Sequence, residues 1–320
     1  MNKEDDGSIF MFKPVPYLGK PRAVAPERTG FISATVQFVV PELAIGKDHD
    51  SFLSISEYCG IEVENAAHEI GLNNRNGRKV TLVSLAFYVP KLEEEEKADQ
   101  SIQNKARLLM ERFVGILSFY AGIKCSAVAA QTSVVQEGGR LATRLEASKR
   151  AETPEVHLDL PERPFDGRTP SDEIFSALFW LRRGLAARDP LETYASLVVS
   201  LQSIAREVVS LPSVMTSCPK CGAESDKIAP SLTGKVRALV VEKLGASEDL
   251  FKRVWKARNS IVAHGNKTIT ADTFLELTEL KFDVAELCFA GIKLAMNLPT
   301  DRGPAPHEIF FNTSAMMYLD

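Results

Sequence analysis

"FWLRRGLAARDPLETYASLVVSLQSI", residues 179–204, decides how the second half of this 320-residue chain folds. In its middle, Asp189, Pro190 and Glu192 read as an N-cap acid, a first-turn proline and a first-turn carboxylate. All three suit a helix start, where N–H groups lack partners and the dipole favours negative charge. From there Leu191, Tyr194, Val198, Leu201, Ala205 and Val208 recur at helical spacing as one apolar stripe. Upstream, Thr169, Pro170 and Asp172 repeat the arrangement and predict a helix running to about Ala187. Almost no chain separates the two patterns, so they are expected to lie as an antiparallel pair.

Three more helical patterns follow, at roughly 231–244, 247–263 and 271–297, and complete an all-α bundle. The first half reads differently. "FISATVQFVV" (31–40), "RKVTLVSLAFYVP" (78–90) and "KCSAVAAQTSVVQ" (124–136) are rich in β-branched residues and bounded by Gly, Asn or Pro. One helix interrupts them, from about Asp99 to Tyr120, with Ile102, Ala106, Leu109, Phe113, Ile116 and Leu117 on its apolar face. The stretch "RAETPEVHLDLPERPFDGRTP" (150–170), with its four prolines, separates the halves. The expected fold is therefore α+β: a β-rich N-terminal domain over 1–150, a linker over 151–170, a helical bundle over 171–300 and a C-terminal tail over 301–320.

Composition narrows the function classes. The chain is 45% hydrophobic and 25% charged, with a net charge of −4, which argues against a broad DNA-coating surface but not against a local basic patch. Its longest apolar run, "FVGILSFYAGI" (113–123), falls short of the roughly 18 residues a membrane span needs. The acidic start "MNKEDDGSIF" does not read as a secretory signal, and five scattered cysteines do not read as a disulfide framework. A cytoplasmic protein without membrane contact is expected.

The candidate chemistry lies in "RNSIVAHG" (258–265). On the helix expected over 247–263, Arg258 shares the face of Phe251, Val254, Trp255, Ile261 and Val262, with Asn259 beside it and His264 at the helix end. A guanidinium on an inward face is costly unless an anion satisfies it, and a phosphate fits its bidentate fork. Histidine titrates near neutral pH and can move the protons of RNA cleavage. The spacing alone is weak, because Arg150 with His157 and Arg302 with His307 also satisfy it. Between Lys235 and Lys267, eight basic residues face three acidic ones, the sign a phosphate substrate requires.

With Arg258, Asn259 and His264 in this pattern, and with 179–204 as a leading helix pair, the region of about 171–297 resembles the HEPN family of α-helical RNA-cleaving proteins. The resemblance implies a metal-independent endoribonuclease, with His264 as acid/base, Arg258 stabilising the transition state and Asn259 orienting substrate or partner. It also implies an RNA substrate, a homodimer through the helical half and, by analogy, a toxin or phage-defence role under a regulatory protein. Related domains often carry an acid on the second helix, where this chain has Gln202 and Ser203. The family also includes members that only bind RNA or protein, so a non-catalytic dimerisation or scaffold module is the alternative. The layout loosely resembles bacterial methylamine-utilisation accessory proteins as well.

"SCPKCGAE" (217–224) presents Cys218 and Cys221 as a candidate half of a structural zinc site, which needs four ligands. Three completions stay open: a symmetry-related pair across a dimer, recruitment of a histidine such as His264, or no metal. "LTGKV" (232–236) lacks the first glycine and the closing Ser or Thr of a phosphate loop, and "HEIGL" (68–72) lacks the second histidine of a zinc protease.

Overall fold

Side-chain alternation along Phe31–Val40 (β1) sends Ile32, Ala34, Val36, Phe38 and Val40 to one face, and all five are buried. Thr81–Pro90 (β5) lies antiparallel beside it, with Ala34 opposite Phe87, Val36 opposite Leu85 and Phe38 opposite Val83, so the two apolar faces coincide. These strands form the centre of a six-stranded antiparallel sheet. Leu43–Ile45 is β2, Ser51–Ser54 β3, Glu69–Asn74 β4, Val128–Gln136 β6 and Gly139–Arg144 β7, and the sheet order is β3-β4-β5-β1-β6-β7. A short parallel pair joins β2 to Val156–Leu158 (β8). The structure, a computed structural model, describes residues 31–40, 42–45, 51–54, 58–59, 69–74, 81–90, 95–136, 139–144, 156–158, 160, 164–165, 170–211, 231–262 and 271–298.

Glu95–Ala121 (α1) covers β5 and β1. In its first turns one stripe is buried, with Ile102, Ala106 and Leu109 inward and Gln103, Asn104, Arg107 and Leu108 outward. Every residue from Phe113 to Phe119 is then buried, the mark of a helix enclosed on all sides. The hydroxyl of Ser118 is satisfied there, donating to the Val114 carbonyl (2.9 Å) and accepting from the Cys125 N–H (3.0 Å).

What encloses the end of α1 is the helical half. Asp172–Ala186 (α2) packs on α1, so close at Gly115 that an added Cβ would sit 3.4 Å from Leu178 Cβ. Phe119 stacks on Phe289 of Ala271–Ala295 (α6), with ring centroids 5.6 Å apart at 21°. Arg112 of α1 donates to the Cys59 carbonyl (2.8 Å), pairs with Asp172 and lies 4.2 Å over the Phe175 ring.

These contacts overturn the expected plan of a β-rich N-terminal domain followed by an all-α helical bundle. The described residues are mostly helical, the longest helix lies in the supposed β-rich half, and no β-rich domain stands by itself among them. The physical reason is α1: it serves the strands with one side and the later helices with the other, so the buried residues form one cluster. A strand-type composition in 31–136 identifies strands but is silent about what covers them.

α2 and Pro190–Val208 (α3) are antiparallel, as the sequence predicts. Ser176 meets Ser203 (3.2 Å), Ser200 donates to the Ala177 carbonyl (2.8 Å), and Gly184 lies against Leu197. Asp189 caps α3 by accepting from the Leu191 N–H (3.0 Å), also as predicted. The α2 cap differs: Ser171, not Thr169, accepts from the Ile174 N–H (3.3 Å). Leu232–Arg237 (α4) and Glu248–Ala257 (α5) follow, each running into a π-helical turn, over Ala238–Lys243 and Arg258–Val262. α6 runs parallel to α3, with Cys288 donating to the Leu197 carbonyl (3.2 Å) and Gly291 against Ile204.

Candidate functional site

Ser247 starts α5 by accepting from the Leu250 N–H (3.1 Å), with Glu248 and Asp249 in the first turn. Phe251, Val254 and Ala257 then face the core, and Trp255 stacks on Phe251 with centroids 6.0 Å apart. The α-helix stops at Ala257. The sequence predicts one continuous helix to residue 263, whereas Arg258–Val262 forms a wider π turn, in which N–H groups bond five residues back. Such turns occur mostly inside helices and are frequent at functional sites, and this one begins on Arg258.

Arg258 is half-buried. Its guanidinium carbon lies 5.2 Å from the Trp255 ring centroid, and Nη1 donates to Asn259 Oδ1 (3.0 Å). Its Nε is buried without a hydrogen-bond partner among the described residues. The same holds for Nε of Arg112 and Arg182, so that feature alone does not single Arg258 out. The difference is charge. Arg112 pairs with Asp172 and Arg182 with Glu111, while no carboxylate pairs with Arg258 among the described residues. Leaving a half-desolvated cation with only an amide is unfavourable unless an anion visits it.

The floor of this site is Tyr194 of α3, fully buried, whose hydroxyl donates to the Val254 carbonyl (2.6 Å). Burial pushes its phenol well above the ordinary value and the charge of Glu276 adds to this, while Arg258 opposes both. The phenol is therefore neutral and committed to a backbone carbonyl, a structural support and not a proton donor to a ligand. Two other basic groups nearby have carboxylate partners: Arg237 pairs with Glu242 (3.2 Å) and Glu248 (2.8 Å), and Arg253 lies 4.0 Å from Glu279. Lys252 and Lys256 of α5 are exposed, so Arg258 is the half-buried cation at the π turn.

Of the expected site residues, the structure brings Arg258 and Asn259 together. His264, Cys218 and Cys221 lie outside the described residues. Among those described, no three His, Cys, Asp or Glu side chains converge as a metal site. Cys59, Cys125 and Cys288 are free and buried; burial pushes the thiols of Cys59 and Cys288 up to about 12. Gln202 and Ser203, on α3, are both buried, and Ser203 meets Ser176 of α2. "LTGKV" is the start of α4, capped by Ser231 accepting from the Gly234 N–H (3.1 Å), and not a phosphate loop.

Two buried side chains with polar ends escape the sequence reading. Tyr194 reads only as a member of an apolar stripe. Lys281 of α6 occupies the position between Leu277 and Val284 where the same periodicity demands an apolar residue, and that conflict is the signal that could have found it. Comparison with family models, curated proteins and solved structures gave no match. Among the described residues no helix is long and apolar enough to cross a membrane.

Proposed function

We propose that the chain is a metal-independent endoribonuclease of the HEPN type, acting in the cytoplasm as a homodimer joined through its helical half. The observation that supports this best is Arg258, half-buried on a π turn with no carboxylate partner among the described residues and a neighbouring amide that fixes its fork. In the proposed reaction the ribose 2′-oxygen attacks phosphorus, forming a 2′-O–P bond while the P–O5′ bond breaks. His264 takes the 2′-hydroxyl proton or delivers one to the departing 5′-oxygen, and Arg258 stabilises the charge gathering on the phosphoryl oxygens. The products carry 2′,3′-cyclic phosphate and 5′-hydroxyl ends, and no metal enters the balance. A toxin or phage-defence role under a regulatory protein fits an activity that would damage the cell's own RNA.

A second reading is supported by the contact of Arg258 with Trp255 and Asn259, which would equally brace a non-catalytic RNA- or protein-binding module. Incubating purified full-length protein with RNA in excess chelator separates the two. Cleavage lost in a folded His264→Ala variant supports the nuclease; intact RNA at every protein concentration, with binding retained, supports the module. A structural zinc held by Cys218 and Cys221 belongs to either reading. Its test is the metal content of the protein before and after Cys218→Ser with Cys221→Ser.

A further inference from the structure

Lys281 is the one charged side chain that is buried among the described residues, with 8% of its surface exposed. It is not at the rim of its helix. Leu277, Val284 and Cys288 precede and follow it by four, three and seven residues, so it sits mid-stripe on the face that α6 turns toward α3. Among the described residues no carboxylate pairs with it, and its ammonium lies 5.1 Å from the centroid of the Phe282 ring. Burial alone shifts it, lowering its affinity for a proton. A lysine so placed is costly to keep unless an anion compensates it.

The register of the two helices says where it points. α6 and α3 are parallel, with Cys288 bonded to the Leu197 carbonyl and Gly291 against Ile204. Two helical turns back from Cys288 is Lys281, and two turns back from Leu197 to Leu201 is the stretch from Pro190 to Tyr194. Tyr194 is the residue whose hydroxyl is bonded at Val254 and whose phenol feels both Arg258 and Glu276. Lys281 and Arg258 therefore approach the same end of α3 from two different helices, each lacking a carboxylate partner among the described residues.

We propose that Lys281 and Arg258 together form one phosphate-binding site at the start of α3, and that its ligand is a phosphodiester group of the RNA. The assignment of RNA rests on the proposed function; the paired-cation site itself does not. Arg258 offers the directional fork and Lys281 a compact charge on a long stem, a division of labour that leaves the scissile phosphate oriented by one and neutralised by the other.

The test has two arms, both on the full-length protein. In the first, inorganic phosphate is titrated while thermal unfolding is followed, for wild type, Lys281→Met, Lys281→Gln and Arg258→Met. Methionine fills the volume of the lysine stem, and replacing a buried charge with an apolar side chain is often neutral or stabilising. Phosphate is expected to raise the wild-type midpoint and to lose that effect in all three variants. In the second, binding of a 2′-O-methyl RNA, which cannot be cleaved by 2′-oxygen attack, is measured against salt. Each variant is expected to bind about tenfold more weakly, with the slope of log K against log salt smaller by about one. Phosphate protection that persists in both Lys281 variants, or is absent from wild type, overturns the site. Protection lost in the variants without any RNA binding would leave the site standing and remove the RNA reading.

Discussion

Arg258 and Cys288 show at single residues how the same solvent exclusion gives opposite chemistry. Around a guanidinium with no carboxylate partner among the described residues it creates a demand for an anion, and around a thiol it removes reactivity. Arg258→Ala is expected to lower RNA cleavage about 10²- to 10³-fold, as loss of a transition-state charge partner does. Arg258→Lys is expected to recover little, because the fork held by Asn259 and the stack on Trp255 both need a planar group; single-turnover rates of the two variants check this. Cys59 and Cys288 should resist alkylation in the native protein at pH 8 and react after denaturation, read by mass spectrometry. Their raised thiol pKa also makes a pH prediction. A thiol that ionises near 9.0 when unfolded and near 12 when folded keeps its proton longer in the native state, so its stabilisation is complete below about pH 9. It is lost as pH rises toward 12, and unfolding midpoints should fall across that window. At this scale the sequence was legible where residue type and helix position agree: Asn259 beside Arg258 and the Asp189 cap. Lys281 was not, because a charged residue in an apolar stripe reads as a break in the pattern until the register of the facing helix is known.

Individual elements are held by close approach as much as by apolar area. α6 comes so near α3 that a Cβ on Gly291 would meet Ile204 Cγ2 at 2.9 Å, and that methyl, on a β-branched side chain, has little room to turn. Gly291→Ala is expected to destabilise the protein by about 1–3 kcal/mol, measured by urea denaturation. If the variant proves as stable as wild type, the parallel α3–α6 packing described above is wrong, and with it the placement of Lys281. The apolar stripes of 191–208 and of the helix over residues 102–117 were readable, and so was the near absence of chain between α2 and α3. The π turns after α4 and α5 were not. Nothing in "RNSIV" distinguishes five-residue from four-residue hydrogen bonding, since the choice depends on what the turn packs against. The strands β2, β3 and β8 were missed for a related reason: at three or four residues each, they are too short to show a period. The strands β4 and β7, at six residues, were missed because Gly71, Asn73, Asn74 and Gly139 are turn-forming types.

The whole molecule is organised about α1, whose last turns are buried on every side by strands and helices together. Phe119 stacked on Phe289 joins the two parts directly, so Phe119→Ala is expected to cost about 3–5 kcal/mol and to move both parts together. Far-ultraviolet circular dichroism and tryptophan fluorescence, with both tryptophans in the helical half, should therefore report one coincident transition. Two separated transitions would show that the strands and helices unfold independently. From the sequence the halves looked like separate layers, because strand and helix signals are local while the burial of residues 113–119 is decided by elements more than fifty residues away. The central functional claim concerns the other end of the helices, at Arg258, and one measurement meets it most directly. Wild type and His264→Ala, each confirmed folded, are incubated with the same RNA in excess chelator, and the ends of any products are identified. The account predicts cleavage by wild type only, with 2′,3′-cyclic phosphate ends. Cleavage that needs added metal, or that survives unchanged in His264→Ala, would contradict it.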